Sequence, residues 1–165
     1  ESSAPGNMLV ITASYTDAGA EGTIPLTGSK SIAIPSSTVK FNDQVKVDGM
    51  QAMQFGGMDL LLIGKSSGWF MLENMSLKNV KSVSLTAGWQ APPTMYFDFE
   101  IHENTVDGPV VGKGRLTAQP EGSQGTMFTL PITGTVSSDG PYYITFKGEE
   151  GKELSPVALT SAIFK

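Results

Sequence analysis

Polar and apolar residues alternate along much of this chain with a period of two. The clearest stretch is Met95-Tyr96-Phe97-Asp98-Phe99-Glu100-Ile101-His102, with Met95, Phe97, Phe99 and Ile101 on one face and Tyr96, Asp98, Glu100 and His102 on the other. A helix would scatter those apolar side chains around its circumference, whereas a strand collects them on one side. Val83 and Leu85 alternate with Ser82, Ser84 and Thr86 in the same way. Further β-like runs cover Met8–Thr12, Ser31–Ile34, Thr38–Phe41, Trp69–Leu72, Thr126–Leu130, Tyr142–Phe146 and Val157–Phe164. Asp48-Gly49, Asp107-Gly108 and Asp139-Gly140 supply the residue pairs that tight reversals prefer, and Glu149-Glu150-Gly151-Lys152 reads as a charged hairpin tip. No segment carries a helical stripe over three turns. Many short strands spaced by turns predict an all-β protein, an antiparallel sandwich or barrel.

Composition narrows the function more than the fold. The chain has 165 residues, of which 39% are hydrophobic and only 16% charged, enough apolar material for one core and too much for a disordered chain. Its longest near-apolar run, Met58 to Gly64, is broken by Asp59 and falls far short of the ~20 residues of a membrane-spanning helix. A net charge of −5, with 11 scattered Lys and Arg, offers nothing to a nucleic acid backbone or an anionic membrane surface. The absence of cysteine excludes disulfides, zinc–thiolate sites and iron–sulfur clusters. The opening Glu1-Ser2-Ser3-Ala4-Pro5-Gly6 is polar, so the sequence reads as a mature chain or as a piece cut from a longer one. We expect one domain over 1–165, with 1–37 as a lead-in strand or appendage and 38–165 as the core sandwich.

Several segments resemble family-six carbohydrate-binding modules. Ser67-Gly68-Trp69-Phe70 is similar to the Gly-Asp-Trp-Val strand start of that family, and Asn74-Met75-Ser76-Leu77-Lys78-Asn79-Val80-Lys81-Ser82-Val83 resembles the segment that follows it. Thr105-Val106-Asp107-Gly108-Pro109-Val110-Val111-Gly112 is similar to the family's Gly-Pro hairpin. Leu130-Pro131-Ile132-Thr133-Gly134 and Tyr142–Gly148 resemble two later strands. These pieces occur in family order over roughly 38–164. Ala13-Ser14-Tyr15-Thr16-Asp17-Ala18-Gly19 and Pro25-Leu26-Thr27-Gly28 resemble the lead-in of modules appended to exported sugar-dehydrogenase or cytochrome c chains. The resemblance implies a jelly-roll β-sandwich of two antiparallel sheets, exported to the periplasm, the cell surface or the medium, that binds glycan without catalysis.

The positions that hold sugar in the family depart from its pattern. Two aromatic rings on loops grip the sugar there, yet Ile63-Gly64-Lys65-Ser66 and Pro120-Glu121-Gly122-Ser123-Gln124-Gly125 occupy those stretches without an aromatic residue. Leu159-Thr160-Ser161-Ala162 replaces the final Asn-x-Asp-Trp, and Asn42 stands where a glutamate is expected, which removes two usual calcium-site carboxylates.

Trp89 is the best remaining stacking residue. It sits in Ala87-Gly88-Trp89-Gln90-Ala91-Pro92-Pro93, a loop stiffened by two prolines, where an indole face suits a pyranose ring and Gln90 suits its hydroxyls. The competing account makes Trp89 a plug over the edge of the core. Trp69 begins a strand inside an apolar run, which predicts core packing. Asp98, Glu100 and His102 share a strand face, but a single histidine gives a transition-metal site one nitrogen ligand, so a solvated outer face explains them better. Asp43, Asp48, Asp107 and Asp139 are loop carboxylates outside any D-x-D-x-D-G run. These residues define no metal-ligand set, and a structural calcium is an alternative to no bound ion. With one histidine, no cysteine and no G-x-S-x-G elbow, the residues argue against an enzyme. The methionines are spread over separate strands, as adaptable filler would be. A glycan-binding module is the leading expectation, and a structural or protein-docking sandwich that has lost sugar binding is the alternative.

Overall fold

The computed structural model describes residues 8–17, 19, 24, 26–35, 37–41, 44–73, 75–137 and 139–165. Asn42, Asp43 and Asn74, singled out above, lie outside them, as do Glu1–Gly6, Ala18 and Pro25. The chain divides into two compact units, Glu1–Ser36 and Ser37–Lys165. In the first, β1 (Met8–Thr16) and β2 (Thr27–Pro35) pair antiparallel from Met8 opposite Pro35 to Thr16 opposite Thr27. Hydroxyl pairs Thr12–Ser31 and Thr16–Thr27, each 2.8 Å, bind the two strands together on one face.

The second unit is a sandwich of two antiparallel sheets, one of the two architectures the alternation predicts and the one the resemblance implies. Its strands are β3 (Thr38–Lys40), β4 (Val47–Asp48), β5 (Met50–Phe55), β6 (Met58–Ile63), β7 (Ser67–Leu72), β8 (Ser82–Gly88), β9 (Phe97–Glu103), β10 (Val110–Leu116), β11 (Gly125–Pro131), β12 (Tyr142–Gly148) and β13 (Ala158–Phe164). The smaller sheet runs β10-β9-β12-β7-β4, and the larger runs β11-β8-β13-β6-β5 with β3 also on β13. The strand foreseen from Met95 to His102 is β9, which starts at Phe97; its inward face is as expected, but His102 on the other face is buried rather than solvated. Phe97, Phe99 and Ile101 are fully buried. Phe99 meets Phe128 of the opposite sheet at 4.9 Å between ring centroids and Phe146 of its own sheet at 6.2 Å. Phe41 packs edge-on against Phe70 at 5.2 Å. The buried Tyr142 points its hydroxyl at the backbone of Leu77, whose N–H donates to it at 3.2 Å.

The turns correct the sequence reading in two places and add a hairpin in a third. Gly49 is no hairpin tip: with φ of 73° it carries the chain from β4 in one sheet to β5 in the other. A Cβ there would collide with the Ser67 carbonyl oxygen, so glycine is required on both counts. The Glu149–Lys152 stretch likewise joins strands of different sheets, because β12 and β13 do not pair with each other. Gly56-Gly57, by contrast, is a two-residue hairpin turn with φ of 58° and 79°, joining β5 and β6. Neither of those strands stood out in the sequence, since Gln51, Gln54 and Asp59 interrupt their apolar residues.

Phe99 bridges both sheets, so its loss opens a cavity that neither sheet fills by itself. Phe99→Ala is expected to cost about 3–5 kcal/mol in chemical denaturation. Met127→Ala, on an exposed residue of β11, is expected to stay within about 0.5 kcal/mol of the parent.

Candidate functional site

The outer face of the smaller sheet follows from the register. β9 puts Asp98, Glu100 and His102 outward because Phe97, Phe99 and Ile101 face the core. On β12, Tyr143, Thr145 and Lys147 stand opposite His102, Glu100 and Asp98. On β7, Met71 and Trp69 stand opposite Tyr143 and Thr145. Trp69 is therefore a half-buried residue of this outer face, which corrects the expectation that it packs in the core. The reason is local: Trp69-Phe70-Met71-Leu72 is apolar on both sides of the strand, so its pattern does not reveal which side faces inward.

Trp69 and Tyr143 are diagonal neighbours across β7 and β12, and their rings meet edge-to-face at 5.2 Å with 68° between planes. Such a contact uses one face of one ring, and the opposite faces stay outside the pair. Beside Tyr143, His102 is only 9% exposed. Its Nδ1 lies 2.9 Å from the Gly108 carbonyl oxygen. A carbonyl only accepts, so Nδ1 carries the proton and the ring's orientation is fixed. Nε2 then faces the Thr145 hydroxyl at 3.3 Å and a Glu100 carboxylate oxygen at 3.4 Å. An aromatic pair thus adjoins a compact group of carboxylate, hydroxyl and imidazole.

Cations on this face are tied to carboxylates. Lys113 bonds Glu100 at 2.7 Å, Lys46 bonds Glu73 at 2.8 Å and Lys147 bonds Glu150 at 2.6 Å. Arg115 grips Asp98 with two nitrogens, and its guanidinium lies 4.0 Å over the Tyr96 ring. The hydrogen bond that Arg115 donates to Asp98 raises its pKa, as the bonds that Lys46 and Lys147 donate to Glu73 and Glu150 raise theirs. These pairs are exposed and add little stability. Their effect is to leave the face nearly neutral and to hold its long side chains in place.

Trp89 and Gln90 lie elsewhere, on the rim loop after β8. The Trp89 amide donates to the Gln124 carbonyl oxygen at 3.1 Å, and its indole Nε1–H donates to that of Ser123 at 2.7 Å. Ser123 in turn donates from its hydroxyl to the Pro120 carbonyl oxygen at 2.7 Å. The structure so joins the Trp89 loop to the 120–125 loop, where the resembled family carries a second ring. Trp89 is half-buried and packs against the core, while Gln90 is exposed.

Near the last strand, Thr160 and Ser161 hydroxyls donate to the backbone oxygen and the hydroxyl of Thr86, at 3.4 and 3.2 Å. No carboxylate replaces the aspartate expected there. Among the described residues no group of three or more His, Asp and Glu side chains stands ready to hold a metal ion. Glu103, buried beside His102, accepts from the Ser137 amide and hydroxyl at 2.8 Å each, which gives it a structural task.

No protein-family model matches this sequence, and no curated protein matches it significantly. Solved structures do resemble it. A family 6 module from Clostridium stercorarium in complex with cellobiose superposes with a TM-score of 0.54 at 12% identity, covering 78% of this chain and 92% of that one. A β-1,3-glucan-binding family 6 module from Bacillus halodurans gives 0.55 at 15% identity, covering 78% and 94%. One from Clostridium cellulolyticum in complex with xylose gives 0.55 at 10% identity, covering 78% and 95%. The chain has the fold of the family 6 carbohydrate-binding modules.

The edge-to-face contact makes Trp69 and Tyr143 energetically dependent on each other. A double-mutant cycle on Trp69→Ala and Tyr143→Ala is expected to return a coupling of about 0.5–1.5 kcal/mol in unfolding free energy.

Proposed function

We propose that this chain is an exported, non-catalytic glycan-binding module, and that the outer face of its smaller sheet is the principal sugar platform. The observation that carries this reading is the Trp69–Tyr143 pair set beside Thr145, Glu100 and His102. An aromatic face takes the C–H side of a pyranose, and the three polar groups accept from or donate to its hydroxyls. The near neutrality of the face suits an uncharged sugar chain better than an acidic one. Two stacked rings with a few hydrogen bonds correspond to a Kd of about 0.1–1 mM. The fold shared with sugar-binding modules supports the reading.

Trp89 and Gln90 form the second proposed contact, on the rim. Their support is the bond between the Trp89 indole and the 120–125 loop, which fixes the ring's orientation at the place where sandwich loops converge.

Titration against neutral polysaccharides, followed by tryptophan fluorescence, tests both. Trp69→Ala is expected to weaken binding at least tenfold while circular dichroism shows the fold intact. Loss of binding on Trp89→Ala alone would move the site to the rim. A parallel series with a chelator reports whether calcium contributes. A folded protein that gives no saturable signal across the panel would refute glycan binding and favour the docking reading.

A further inference from the structure

The two strand orders end on four strands, β10, β4, β11 and β5, and three of these are blocked by the means proteins commonly use against edge pairing. β4 has only two residues. β10 carries Lys113 and Arg115 and has a register break between Val110 and Gly112. β11 ends in Pro131, and beyond it Thr133 and Gly134 donate to the Val111 carbonyl oxygen at 2.9 and 3.0 Å, stitching that side closed. β5 is different. Its six residues, Met50-Gln51-Ala52-Met53-Gln54-Phe55, contain no charge and no proline, and they pair with β6 in unbroken register. No described strand pairs with its outer edge. Beside that edge, Met53 is 37% exposed, Phe55 61% and Met58 60%. Met53 and Phe55 share one face of β5, and Met58 stands opposite Phe55 on β6, so the three form one apolar stripe.

We propose that the end of β5, Met53–Phe55, is a self-association edge, pairing antiparallel with the same three residues of a second copy about a two-fold axis through Gln54. In that register Phe55 lies opposite Met53 of the partner subunit, and Met53 opposite the partner's Phe55. Each such pair sets a thioether against an aromatic ring, a favourable contact. Met58 extends the stripe on each side, because β6 places it opposite Phe55. An uncharged strand avoids like-charge repulsion when it meets its own copy, which a charged edge does not. The three exposed side chains offer on the order of 300 Å² per copy. A standard stable interface uses about 800 Å² per partner, so the dimer is a weak one that forms near 0.1–1 mM.

The chain has no cysteine, which makes cross-linking a clean test. In the proposed register the two Gln54 Cα atoms lie about 4.5–5.5 Å apart, within reach of a disulfide. Those of Gln51 lie about 20 Å apart, beyond reach. Under mild oxidation, full-length Gln54→Cys is expected to form covalent dimer at least tenfold faster than Gln51→Cys. Adding Met53→Lys should remove that advantage, whereas adding Met127→Lys, at the far edge of the same sheet, should not. Sedimentation of the unmodified chain should show a dimer that grows with concentration. Equal cross-linking of the two cysteine variants, or a monomer at about 1 mM, would overturn self-pairing and leave the edge to a strand of some other protein. The test involves no sugar, so its outcome is independent of the glycan reading.

Discussion

The packing of Phe97, Phe99 and Ile101 against the opposite sheet decides which side of β9 meets water. Every outward residue of the smaller sheet follows from that choice, because antiparallel register carries it across to β12 and then to β7. A slip of one residue would invert the arrangement, burying Asp98, Glu100 and His102 and exposing the phenylalanines. The cost of burying two carboxylates without partners far exceeds any local strand preference. The apolar interior therefore sets both the stability of the sandwich and the composition of its platform.

That platform is preorganised by contacts that each contribute modestly. Ion pairs between neighbouring strands hold Lys113, Arg115 and Lys46 over the sheet, and the Gly108 carbonyl fixes the His102 ring. On the proposed reading, a sugar docking there would meet side chains already ordered, which lowers the entropy lost on binding. The rim is ordered differently, through the bonds of Trp89 to the carbonyl oxygens of Gln124 and Ser123. There the indole serves the loop connection.

Edges impose a second constraint on a sandwich, since an open pair of sheets has four of them. Short length, charge, a register break, proline and cross-sheet hydrogen bonds secure three. The crossing at Gly49 explains why β4 is short: its chain leaves for the other sheet after two residues and continues as β5. The free edge arises where that second run ends, next to the Gly56-Gly57 turn.

Strict alternation made β9 and β8 legible from the sequence, and with them the all-β class, because period two has a single structural solution. Runs that are apolar on both sides, such as Trp69–Leu72, leave the inward face undetermined, and the structure puts Trp69 on the outward one. The hairpin of β5 and β6 escaped notice because glutamines and Asp59 dilute its apolar residues. Tyr142 and Tyr143 show the limit most simply. They are identical and adjacent, yet one is fully buried with its hydroxyl on the Leu77 amide, and the other stands outside against Trp69. The sequence by itself determined that these residues belong to strands; only pairing with β7 and β9 decided which tyrosine joins the core, since strand register is set by contacts between segments far apart in the chain.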